Sequence, residues 1–82
     1  MEIEKQLLME IEKWTKKIDE ERKHVAVSND KAKDFLKNVD AYIADSQHFL
    51  KKGDLIRSFE AIIWSWSWLE ILRELEIIER SH

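Results

Sequence analysis

Phe49 to Leu72, FLKKGDLIRSFEAIIWSWSWLEIL, is the stretch on which the fold turns. It holds the only glycine of the chain, Gly53, three of the four tryptophans, and the longest uncharged run, Ala61 to Leu69. Trp64-Ser65-Trp66-Ser67-Trp68 alternates at period two, which on its own is a strand signal. The residues that follow decide otherwise. Leu69, Leu72, Leu75 and Ile78 recur at helical spacing between charged residues, and no second strand-like run exists to pair with a lone strand, which is not viable alone. On a helix, side chains two apart diverge by about 200°, so Trp66 should oppose Trp64 and Trp68.

The start of the same stretch spells a helix–turn–helix joint. Gly53 supplies the left-handed conformation that ends one helix, and Lys51 and Lys52 before it suit a C-terminal dipole. Asp54 is then the N-cap of the next helix, its carboxylate accepting from free backbone N–H groups. So short a joint makes the two helices antiparallel neighbours.

Working outward, the first helix is expected over about 2–23. Leu7, Ile11, Trp14, Ile18 and Val25 form its apolar seam, and Leu8 and Thr15 widen it. Val25-Ala26-Val27 followed by Ser28-Asn29-Asp30 marks a connection, with a second helix over about 30–51. That helix has one clean apolar stripe: Ala32, Phe35, Leu36, Val39, Tyr42, Ile43, Ser46, Phe49 and Leu50. The third helix, about 55–79, is apolar on two sides. Leu55, Ile56, Phe59, Ile62, Ile63, Trp66 and Leu69 are assigned to an inner face. Ala61, Trp64, Trp68, Ile71, Leu72, Leu75 and Ile78 are assigned to an outer one. The expected architecture is a single all-α domain over 1–82, a three-helix up-and-down antiparallel bundle.

Composition narrows the function. The chain has 82 residues, no proline, one glycine, no cysteine, 38% charged residues and a net charge of −3. Disulfides, thiolate nucleophiles and cysteine zinc sites are excluded. The charge speaks against nucleic acid and anionic membranes as partners. The lysines and arginines of the first helix are interleaved with Glu12, Asp19, Glu20 and Glu21. Charged residues from Glu2 onward argue against a secretory signal, and Ala61–Leu69 falls far short of the roughly 20 apolar residues needed to span a bilayer. A cytoplasmic protein is expected.

Tyr42-x-x-Asp45-Ser46-x-His48-Phe49-Leu50-x-Lys52-Gly53-Asp54, then Phe59-x-Ala61 and Trp68-Leu69-Glu70, resembles the archaeal domain of unknown function 357 family. The resemblance spans the last two helices, a little over half the chain; the first helix matches only as an amphipathic helix. It implies a three-helix bundle shaped like the immunoglobulin-binding bacterial domains and an archaeal, cytoplasmic source. It implies no activity. Where relatives carry His and Gly before the Trp-Leu pair, this chain has Trp66 and Ser67, so a site built on that histidine is lacking here.

Chemistry-bearing residues are sparse. Of the histidines at 24, 48 and 82, only His48 has a neighbour at metal-ligand spacing, Asp45, and two donors without a further motif make an exposed polar pair. No glycine-rich loop, nucleophile context or isolated carboxylate pair is present, so no catalytic residue, metal or cofactor is expected. Arg73 and Glu70 are expected to form an ion pair at the bundle's edge. What remains is surface: Trp64, Trp68, Ile71, Leu75 and Ile78 step by four, three, four and three, a second seam needing cover. The expectation is a non-enzymatic module for protein–protein contact or self-association through those five residues, most simply a homodimer, otherwise with another protein. The alternative is a small-ligand or substrate-recruiting domain using a groove near Tyr42 and Asp45.

Overall fold

The computed structural model describes residues 2–27 and 29–80. Helix α1 spans Glu2–Lys23, α2 spans Asp30–Lys51 and α3 spans Leu55–Glu74, in an up-down-up, all-α bundle about 45 × 21 × 17 Å. Two short segments, β1 (Val25–Ala26) and β2 (Glu79–Arg80), pair antiparallel, with Val25 opposite Arg80 and Ala26 opposite Glu79.

Local chemistry sets the boundaries. Asn29 caps α2, its side-chain oxygen accepting from the Ala32 N–H at 2.8 Å. At the other end Gly53 sits at φ 78°. Its N–H donates to the Leu50 carbonyl at 3.0 Å, and the Asp54 N–H donates to Phe49 at 2.9 Å. These two bonds are the Schellman pattern that satisfies the last carbonyls of a helix. Asp54 serves both elements, since its carboxylate accepts from the Arg57 N–H at 3.1 Å and caps α3.

α3 is the central element and packs along both neighbours, most extensively along α2. Its buried line is Ser58, Ile62, Ser65, Leu69 and Leu72, spaced four, three, four and three, with Ala61 beside it. From α2 come Ala32, Leu36, Val39 and Ser46, from α1 Ile11 and Ile18, and of all these residues Ile18, Ala32, Leu36, Val39, Ile62, Leu69 and Leu72 join one continuous core. Each buried Leu or Ile contributes about 1.5–3 kcal/mol. The serines in the seam let the two helices approach closely and are bonded within it. Ser46 Oγ donates to the Ser58 carbonyl and Ser58 Oγ to the Ser46 carbonyl, both at 2.8 Å; Ser65 Oγ donates back to Ile62 at 2.8 Å.

α1 lies parallel to α3 at a fixed sequence offset. The Trp66 indole N–H donates to the Trp14 carbonyl at 3.2 Å, and two turns on Arg73 binds Glu21 at 2.5 Å. Both pairs are 52 residues apart. A bidentate Arg22–Asp40 pair at 2.8 and 3.0 Å ties α1 to α2.

Three expectations are corrected. The buried line of α3 falls between its two supposed faces: Ile56 is 66% exposed and Ile63 only half-buried, whereas Ala61 and Leu72, assigned outward, are buried. α3 stops at Glu74 rather than at 79. Glu76 adopts φ 57°, Glu76 N–H donates to Arg73 and Ile77 N–H to Leu72, both at 2.9 Å, and the chain folds back. In consequence Ile78 is 4% exposed and belongs to the core, packed with Ile77 and with Val25 and Val27 of the first connection. After this turn the two residues of β2 close on the two of β1, and the fold remains all-α.

Candidate functional site

The three clustered tryptophans part company as an α-helix requires. Trp66 faces α1 and meets Trp14 edge to face, with centroids 5.7 Å apart and planes at 80°. Trp64 and Trp68 face α2, Trp64 stacking on Tyr42 at 6.3 Å and Trp68 on Phe35 at 6.2 Å. Trp14 is held in turn by Glu10, which accepts its indole N–H at 3.0 Å, and by Lys13 and Lys17, whose ammonium groups lie 5.3 and 4.9 Å from the ring centroid.

These flanking rings leave the outward line of α3 uncovered. Trp64 is 56% exposed, Ile71 49% and Leu75 64%, and Ile63 and Ser67 form the floor between them. Toward α1 the floor opens into a groove of about 660 Å³ walled by Trp14, Trp66, Glu70 and Ile71. Toward the start of the helix it continues past Phe59, Glu60 and Trp64. The apolar face is continuous because both depressions share Ile63 and Ser67. Ser67 Oγ donates back to the Ile63 carbonyl at 3.0 Å, so the hydroxyl is satisfied without a partner from outside.

Of the five residues expected on this surface, Trp64, Ile71 and Leu75 stand exposed together, Trp68 is half-buried against the core, and Ile78 is buried. The face is centred on Ile63, Ser67 and Ile71 instead, with Trp14 at its edge. Sequence reasoning missed Ile63, placed inward, and Ser67 and Glu60, placed nowhere. The available signal was the spacing of Ser58, Ile62, Ser65, Leu69 and Leu72, which fixes the opposite side once serine is admitted to a core.

Elsewhere the candidates stay apart. Tyr42 is half-buried with its ring against Trp64, and Asp45 is exposed one turn along. His48 is exposed with its ring edge to face against Phe49, while His82 lies outside the described residues. No group of three or more His, Cys, Asp or Glu side chains suited to a metal occurs among the described residues. Arg73 pairs with Glu70 at 3.5 Å, but the shorter contact is the one to Glu21 across the helices, which the sequence did not suggest. Among the described residues no helix is long and apolar enough to cross a membrane.

The fold has a solved counterpart. The crystal structure of protein AF1782 from Archaeoglobus fulgidus, itself assigned to the DUF357 family, superposes with a TM-score of 0.87 at 39% identity. The match covers 96% of this chain and 99% of that one. No match was found among curated proteins. The family model for the protein of unknown function DUF357 matches residues 8–78, reaching from the first helix to Ile78 in the folded-back tail. The chain belongs to the DUF357 family.

Proposed function

We propose that the chain is a non-catalytic cytoplasmic module that works by contact with another polypeptide, a second copy of itself or a different protein, through the outward face of α3. The observation that carries this is the continuous apolar face of Trp64, Ile71 and Leu75 around Ile63 and Ser67, none of which the bundle's own helices cover fully. Contiguous apolar surface on a small domain marks interaction sites, because leaving it in water costs about 25 cal/mol per Å² that a partner would recover. A ligand-recruiting role for Tyr42 and Asp45 has weaker support, since the tyrosine ring is occupied by its stack on Trp64.

The test is a pair of measurements on the parent and on Trp64→Glu and Ile71→Glu. Both positions are exposed, so both variants should keep the parent's helical circular dichroism. Sedimentation across concentration reads self-association, and capture of partners from an archaeal extract reads a different chain. The proposal expects one of the two signals in the parent and its loss in both variants. A parent that is monomeric at high micromolar concentration and captures the same proteins as its variants would remove the interface.

A further inference from the structure

From the charges set into this face we infer that its occupant is an amphipathic helix of a different protein, with an apolar stripe flanked by lysine or arginine; the inference rests on the interface reading above. Glu60 and Glu74 are both exposed and bracket the apolar floor, and neither has an ion-pair or hydrogen-bond partner among the described residues. They stand about 21 Å apart along α3, four turns, with Ser67 midway. The cations beside the groove already have partners: Lys13 and Lys17 lie over the Trp14 ring at the wall toward α1, and Arg73 is bound by Glu21 and Glu70. The floor is therefore apolar, and the charges of α3 at its two ends that lack a partner among the described residues are acidic.

That arrangement is poorly matched to itself. A two-fold contact is isologous, so each copy offers the same patch to the other. With the α3 helices parallel, Glu60 meets Glu60 and Glu74 meets Glu74. With them antiparallel and crossing at Ser67, the small side chain where a second helix comes closest, Glu60 of one copy lies opposite Glu74 of the other. Both symmetric solutions bring like charges together at the edge of an apolar contact, which acts against that partner. A basic amphipathic helix has the complementary pattern. Its apolar stripe fills the groove between Trp14, Ile63 and Ile71 while its cations reach Glu60 and Glu74.

The probes are two peptides of about three heptads with Leu at a and d, one carrying Lys at e and g and the other Glu. Each is titrated onto the full chain at low salt and followed by tryptophan fluorescence, alongside sedimentation of the chain alone. The expected result is a monomeric chain that binds the lysine peptide roughly tenfold more tightly than the glutamate peptide, with that preference weakened by added salt. The double variant Glu60→Lys/Glu74→Lys, at two exposed positions and checked by circular dichroism, should reverse the preference. Equal binding of both peptides, or a preference unchanged in the double variant, overturns the inference. A chain that already dimerises and is made monomeric by Trp64→Glu also overturns it, while leaving the interface in place. If neither peptide binds, the inference falls, and the interface reading is decided separately by whether the parent captures proteins that Trp64→Glu and Ile71→Glu do not.

Discussion

Helices α2 and α3 end with the same backbone device and with different residues. At the end of α2 the left-handed position is Gly53, φ 78°; at the end of α3 it is Glu76, φ 57°. Both ends carry the paired backward hydrogen bonds of a Schellman turn, Asp54 to Phe49 and Gly53 to Leu50 in one, Ile77 to Leu72 and Glu76 to Arg73 in the other. In the first case the residue itself prefers the turn. In the second it does not, since a Cβ in this region costs roughly 1–2 kcal/mol, and something downstream must offset the difference. The downstream residues are Ile77 and Ile78. The turn carries them back onto Leu72, Val25 and Val27, and Ile78 ends at 4% exposure. One end is set by local preference and the other by tertiary burial.

The largest effect that distinguishes the two ends is expected at Ile78. If burial of the tail holds the turn at Glu76, Ile78→Ala should lower stability by about 2–4 kcal/mol, the usual cost of truncating a core isoleucine. Hydrogen exchange at residues 76–80 should rise with it, because the short pairing of β1 with β2 has little else to hold it. A variant that melts with the parent would mean that the tail is a frayed helix end, and the contrast between the two termini would vanish.

At the α2 end the expected effects are smaller and local. Gly53→Ala should destabilise by about 1 kcal/mol, and through backbone conformation alone, because a Cβ built there meets no atom within 4 Å. Asp54→Ala should cost a similar ~1 kcal/mol by removing the cap on the Arg57 N–H. Thermal melts of both read the result. If either melts like the parent, the joint is not held by its own residues, and it resembles the α3 end more than it differs.

The contrast also explains what could be read in advance. The joint was legible because Gly53 and Asp54 carry their conformational preferences in their chemistry. The stripe of α2 was legible because one face of that helix is apolar and the other is not. The end of α3 was not legible. Its C′ residue is a glutamate, a good helix former, and the reason for the turn lies about fifty positions away in the β-branched Val25 and Val27. The buried line of α3 was hidden for a related reason. Ser58 and Ser65 look like solvent positions, and for Ser58 only Ser46 on the facing helix shows that a small hydroxyl is what a close α2–α3 approach admits. With the line misplaced, the outward face was misplaced as well. Trp64, Ile71 and Leu75 were found on it, Trp68 and Ile78 were wrongly added, and Ile63 was wrongly taken away.

The smallest expected effect is the most discriminating, because its sign and not its size carries the answer. With Glu76 in the left-handed region, Glu76→Gly relieves a penalty of roughly 1–2 kcal/mol and adds a loss of about 0.4–1 kcal/mol from the freer unfolded chain. The net is a stabilisation of about 0.5 kcal/mol, read as a rise in Tm of roughly 2–4 °C for a domain of this size. If α3 instead ran on as a helix to residue 79, position 76 would be a helix interior. The same substitution would then destabilise by about 1 kcal/mol, and the Tm would fall. Leu75 and Ile78 would in that case share one outward helical face with Trp64, Trp68 and Ile71, and the apolar face would extend a further turn. Glu76→Asn should follow Glu76→Gly with a smaller rise, since asparagine tolerates the left-handed region better than glutamate does. A melt of the three proteins side by side therefore decides whether the tail of α3 belongs to the core or to the exposed face of the helix.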